Sequence, residues 1–220
     1  MRKLAASITA LLGSVVLLAG FSAPVHAQDV AAGENKATLC AGCHNIPRYQ
    51  ASFPEVHKVP KIAGQNAQYI AAALAAYKKG DRKHPTMHSL ALTLSDQDIA
   101  DLAAYYAQLG KTDKPLPETA RVPSAQVAEL LAKANCASCH GANFSTPIDP
   151  SYAKIAGQHA DYLYVALKAY QTDNNPVIGR NNAIMGGMAK QYTHAQLKQL
   201  AEYIGSLQGE LETVKRRDFR

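Results

Sequence analysis

Cys40, Cys43 and His44 fall in the stretch Leu39-Cys40-Ala41-Gly42-Cys43-His44, and Cys136, Cys139 and His140 in Asn135-Cys136-Ala137-Ser138-Cys139-His140. Two cysteines separated by two residues, with a histidine directly behind them, form the attachment pattern of c-type haem. The chemistry explains the spacing: thiols one short turn apart can each add to a vinyl group of the porphyrin, and the adjacent imidazole is carried beneath the ring to ligate the iron. The two copies use all four cysteines of the chain. A zinc ribbon would place its knuckles about 15–20 residues apart, whereas Cys40 and Cys136 are 96 positions apart. A thioredoxin-like redox pair needs a strand–helix–strand context, and the flanks here read as helices. A disulfide framework suits an exported protein but gives no reason for His44 and His140.

Iron held by one histidine keeps a second axial position. The soft or imidazole donors available to it are Met87, His84, His88 and His57 in the first half, and Met185, Met188, His159 and His194 in the second. A methionine in a helical protein is more often core filler than ligand, so the internal repeat has to discriminate. From Arg82 and Arg180 onward the halves run in register at an offset of 98, which lays Met87 on Met185 but His84 on Asn182, His88 on Gly186 and Met188 on Leu90. Met87 and Met185 are therefore the expected axial ligands, with Met188 the main competitor in the second half. The remaining histidines read as solvated or hydrogen-bonded side chains. Tyr69, Tyr77, Tyr162 and Tyr170 read as packing residues. Arg82 and Arg180 pair with haem propionates or are solvated.

The elements that must position these groups follow from periodicity. Residues 29–39 are helix-compatible and lead into the first haem segment, and residues 45–60, with Pro47, Pro54 and Pro60, read as a loop along one side of the haem. After Lys61-Ile62-Ala63-Gly64-Gln65 comes a helix with Tyr69, Ile70, Ala73, Leu74 and Tyr77 on one face, stopped near Gly80. Residues 84–94 read as a loop carrying Met87. Ser95 then caps a last helix, with Asp98 completing a capping box. Residues 111–123, charged and proline-containing, read as a semi-extended linker.

The plan then repeats. Ser124 caps a helix with Val127, Leu130, Leu131 and Ala134, Lys154-Ile155-Ala156-Gly157-Gln158 repeats residues 61–65, and Thr193 with Gln196 rebuilds the capping box. No strand signal of any length is present. The expectation is an all-α protein of two domains, 28–110 and 124–208, with a basic tail at 209–220. Lys215, Arg216, Arg217 and Arg220 read as a solvated terminus, with docking on an anionic partner or lipid surface as the alternative.

Residues 1–27 are expected to be a cleaved secretory signal: Arg2 and Lys3, an apolar run at 4–21, then Pro24 and Val25-His26-Ala27 before Gln28. Retention as a single-span anchor is the alternative. The formal charge of +6 becomes +4 once Arg2 and Lys3 leave, and haem propionates would cancel that remainder. No basic cluster with interleaved aromatics suggests nucleic acid.

With both haem segments, both Ile-Ala-Gly-Gln stretches and both methionine segments, the chain resembles the cytochrome c4 family of diheme periplasmic electron carriers. That resemblance implies two tandem class I cytochrome c folds, each wrapped around one covalently bound haem c, with Cys40, Cys43, His44 and Met87 on one haem and Cys136, Cys139, His140 and Met185 on the other. It further implies a proline whose carbonyl holds the proximal histidine; Pro60 fits, but the equivalent second position is Ala153, for which Pro150 or Pro147 would have to substitute.

An iron with two protein axial ligands has no vacant site for a substrate, and a neutral thioether favours the ferrous state. The expected role is a non-enzymatic one-electron carrier in the periplasm, between a quinol-oxidising cytochrome bc complex and a terminal oxidase, with peripheral membrane association as an extension. The rival reading is a haem subunit of, or itself, a sulfur-compound-oxidising enzyme of the flavocytochrome sulfide dehydrogenase or thiosulfate dehydrogenase kind. A haem-based ligand sensor is the third.

Overall fold

The computed structural model describes residues 28–111 and 113–215. The expected signal segment, residues 1–27, and Arg216, Arg217 and Arg220 of the tail lie outside the described residues. The first unit comprises α1 (Val30–Lys36), α2 (Thr38–His44), β1 (Gln50–Ala51), β2 (His57–Lys58), α3 (Ala67–Lys79), β3 (Arg82–Lys83), α4 (Pro85–Leu92) and α5 (Asp96–Gln108). The second comprises α6 (Ala125–Lys133), α7 (Ala137–His140), α8 (Ala160–Gln171), β4 (Gly179–Arg180), α9 (Ala183–Ala189) and α10 (His194–Gly205). Among the described residues no helix is long and apolar enough to cross a membrane.

Local chemistry accounts for most boundaries. Both expected capping boxes form, Ser95 with Asp98 and Thr193 with Gln196, and Ser124 caps α6. α3 ends where Gly80 takes a left-handed φ of 86°. Three expectations are corrected. The segment read as one helix before the first haem motif breaks at Ala37 into α1 and α2. The methionine segments are helices rather than loops: Pro85 sits in the first turn of α4, where its missing N–H costs nothing, and His84 and Asn182 act as N-caps of α4 and α9. Four two-residue strands are also present; β1 pairs with β2 inside the 45–60 segment, and β3 pairs antiparallel with β4 across the two units.

In the first unit α1 crosses α5 at close range. Gly33 makes this crossing: a Cβ there would lie 2.2 Å from the Asp101 carbonyl oxygen. Ile70, Leu102, Ala103, Tyr105 and Tyr106 form the core, with Cys40, Ile62 and Leu74 packed against it. The second unit's core joins Leu130, Ala134, Tyr192, Leu197 and Leu200 to Phe144, Ala156, Leu163, Ala201 and Ile204. Cys136, Leu131 and Leu167 touch both clusters. Each fully buried leucine of this kind contributes about 1.5–3 kcal/mol.

The repeated Lys-Ile-Ala-Gly-Gln stretch joins the units to each other. The Gln158 side chain accepts from the Lys61 amide (3.0 Å) and donates to the Lys61 carbonyl (2.8 Å). Gln65 does the same to Lys154, at 2.9 Å in both directions. The Lys61 ammonium reaches the Gly157 carbonyl at 2.9 Å, and the Lys154 ammonium the Gly64 carbonyl at 3.0 Å. Lys58 with Asp161 and Lys168 with Glu55 add ion pairs across the joint.

The two connecting segments cross over. The linker lies along the second unit, its Pro117 carbonyl accepting from Asn143 and its Arg121 carbonyl from Tyr203. The segment after α10 returns to the first unit, where the Glu212 amide donates to the Ala63 carbonyl at 3.1 Å and Leu211 is 2% exposed.

Candidate functional site

On the first centre, α2 presents Cys40, Cys43 and His44 along one short helix. His44 Nδ1 lies 2.8 Å from the Pro60 carbonyl oxygen, so Nδ1 carries the proton and Nε2 is left with its lone pair, the tautomer a metal ligand requires. Burial pulls the His44 pKa down, against the Pro60 hydrogen bond, and nearby His84 pulls it further. The imidazole is therefore neutral at physiological pH.

The second centre repeats this arrangement with one substitution. His140 Nδ1 lies 2.9 Å from the Ala153 carbonyl oxygen. Neither Pro147 nor Pro150 takes the role expected of them; the acceptor is a backbone oxygen, so alanine supplies it as well as proline does. Burial lowers the His140 pKa as well. It also pushes the Cys40 thiol up to about 11 and the Cys136 thiol upward, the opposite of the depressed pKa of a redox-reactive cysteine.

Met87 and Met185 occupy matching positions in the first turns of α4 and α9. Their amides donate to the caps, Met87 to His84 Nδ1 (3.4 Å) and Met185 to Asn182 Oδ1 (2.9 Å). The cap role accounts for His84 aligning with an asparagine. Both methionines are half-buried. Met188 is 37% exposed, and its sulfur lies 3.8 Å from Gln191 Nε2. His57 Nδ1 bonds the Glu55 carbonyl, His88 Nδ1 the Tyr77 carbonyl, and His194 stacks edge-on to Tyr164. His159 precedes α8, its amide bonded to Gln158.

Where the two units meet, β3 and β4 set Arg82 directly opposite Arg180. Arg82 stacks on Tyr69 and Tyr77, and Arg180 on Tyr162 and Tyr170. The Tyr162 hydroxyl accepts from Arg180 at 3.0 Å and from Arg82 at 3.5 Å. Burial pushes the Tyr162 phenol up, yet the two guanidiniums overcome it and pull the phenol down to about 8. Among the described residues neither arginine pairs with a carboxylate, and Arg82 Nε is buried without a partner. A buried cation beside a half-buried one, with a donor unfilled, is costly unless anions join them. The propionates of two haems have the chemistry to do so, and the residues present fit that group. The solvated alternative for Arg82 is corrected: it is buried.

A sequence profile described as cytochrome c matches residues 30–110 and again 124–208. Cytochrome c4 of Pseudomonas aeruginosa is 30% identical over 204 residues, covering 90% of this chain and 98% of the relative. A protein of Stutzerimonas stutzeri described as a thiosulfate dehydrogenase electron acceptor is 27% identical, covering 94% of this chain and 95% of the relative. The crystal structure of reduced recombinant cytochrome c4 from Pseudomonas stutzeri superposes with a TM-score of 0.63 at 26% identity, covering 83% of this chain and all of that one.

Proposed function

Since the chain belongs to the cytochrome c4 family, with two tandem cytochrome c domains and two covalently bound haem c, we propose that it is a periplasmic one-electron carrier whose irons are closed on both faces by protein ligands. His44 and Met87 hold the first iron and His140 and Met185 the second, with Cys40, Cys43, Cys136 and Cys139 as the thioether anchors. The haem iron supplies reversible one-electron chemistry when bound. The observation carrying this reading is the pair of backbone-held imidazoles, His44 on Pro60 and His140 on Ala153, which fix ring orientation and leave Nε2 as ligand on each side. Arg82 and Arg180 supply positive charge to the propionates where the two domains meet, offsetting the negative charge that would otherwise accumulate between them.

The donor is a quinol-oxidising cytochrome bc complex and the acceptor a terminal oxidase, reached after export directed by residues 1–27. Rapid reduction of the purified diheme protein by quinol-oxidising membranes and reoxidation by oxidase-containing membranes is the expected result; inertness toward both would overturn it. A second reading draws on the likeness to the Stutzerimonas stutzeri electron acceptor over nearly the whole chain: electrons would enter from thiosulfate oxidation by a partner enzyme. Reduction by thiosulfate plus such an enzyme, with none from quinol, would select it. Carbon monoxide binding to the native reduced protein would contradict both, because it requires an open axial position.

A further inference from the structure

The two centres copy each other closely, so their properties are set apart where the copy fails. Both imidazoles donate through Nδ1 to a backbone carbonyl, but the next residue differs, Asn45 in the first domain and Gly141 in the second. Gly141 has a φ of 82°, and a side chain there would strike the Thr146 carbonyl oxygen at 2.0 Å. Asn45 is 4% exposed. Its Oδ1 accepts from the Tyr106 hydroxyl at 3.1 Å, and its Nδ2 donates to the Val214 carbonyl at 2.7 Å. One side-chain amide therefore ties the segment bearing Cys40, Cys43 and His44 to α5 of its own domain and to polypeptide returning from the other domain. That returning segment is anchored on its own account. Leu211 is buried, Lys154 pairs with Glu210, Glu212 bridges to Ala63, and Val214 packs against Gly110.

We infer that Asn45 is a positioning residue for the first haem, clasped by the Val214 carbonyl of the second domain's tail, and that this clasp raises the first haem's reduction potential while leaving the second's untouched. A buried amide needs both partners. Without the Val214 carbonyl, Nδ2 is satisfied only by water drawn in beside the proximal histidine. Water at that position raises the local dielectric, favours the more highly charged ferric state and lowers the potential. The second centre has a glycine at this place and no such amide, so it is indifferent to the tail. The inference rests on His44 and Met87 being the first iron's ligands, as proposed above.

The test is a potentiometric titration of the full diheme protein, in five forms: unaltered, Asn45→Ala, terminated after Thr213, both of these changes together, and terminated after Lys215. The Met87→His and Met185→His proteins, each moving its own wave, assign the two centres. Asn45→Ala and termination after Thr213 should each lower the first wave by a similar amount, on the order of a tenfold change in its reduction equilibrium, equivalent to 59 mV for one electron. Combining them should add nothing further. Termination after Lys215 removes charge but keeps the Val214 carbonyl, and should leave both waves in place. An unmoved first wave, equal movement of both waves, or additive effects would overturn the clasp. If Asn45→Ala does not mature, the protein terminated after Thr213 decides alone. If Met87→His moves neither wave, the ligand reading is what has failed; if it moves one wave and Asn45→Ala moves none, the clasp has.

Discussion

On the proposed ligation, Met87 and Met185 rather than a second imidazole would set how readily each iron accepts an electron. Methionine is the softer, neutral donor and stabilises the ferrous state. Met87→His and Met185→His should each lower the potential of one haem only, by on the order of 0.1 V within the roughly 0.8 V that axial ligands span. Each should also remove half of the charge-transfer absorption characteristic of ferric iron bound to thioether. Met188→Leu should change neither, because Met188 faces solvent and Gln191. Optical titration of the three proteins checks all of these outcomes.

At the scale of elements, the crossing of α1 on α5 holds the proximal segment of the first domain. Gly33→Ala would drive a methyl group into the Asp101 carbonyl, forcing the helices apart at a cost of about 1–3 kcal/mol; thermal denaturation of the holoprotein measures it. The same crossing is pinned by the Asp101 carboxylate, which accepts from the Asp29 amide (3.0 Å), Lys36 (2.7 Å) and Gln97 (2.6 Å). The Lys36 hydrogen bond, then that of the Asp29 amide, holds the Asp101 carboxyl below the usual carboxylate range. A carboxylate depressed in the folded state stabilises above its unfolded pKa of about 4, and the contribution is lost as pH falls through the lower folded value. Asp101→Asn should therefore destabilise the protein at pH 7 by about 1–3 kcal/mol. Its deficit relative to the parent should shrink below about pH 4, as melting curves at pH 7 and pH 3 would register.

At the scale of the whole molecule, the two domains are held by a reciprocal exchange in which each glutamine of the repeated pentapeptide closes two hydrogen bonds on the other domain's lysine backbone. The joint aligns β3 with β4 and so brings Arg82 to Arg180. Replacing both Gln65 and Gln158 by alanine should leave each domain folded and loosen their docking. Amide exchange at Lys61 and Lys154 should accelerate by about tenfold or more, the equivalent of one net hydrogen bond lost. Unchanged exchange would mean that the ion pairs and the returning tail suffice to hold the joint.

The sequence by itself determined that the plan occurs twice and where the capped helices begin, and it supplied the residues proposed to anchor a macrocycle and bind its iron. Each is a matter of residue type and short spacing: Cys40 to His44, Ser95 to Asp98, Met87 laid on Met185. Even the methionine helices carried a local signal, since Pro85 and the His84 or Asn182 cap announce a helix start that their shortness obscured. Only the tertiary structure decided that Ala153 serves as Pro60 does, because a backbone carbonyl has no residue signature. It alone decided that Arg82 and Arg180 meet, that the repeated Lys-Ile-Ala-Gly-Gln stretch is a joint, and that Val214 closes on Asn45. Those contacts join residues roughly 90 to 170 positions apart, and no periodicity along a chain encodes a partner at that distance.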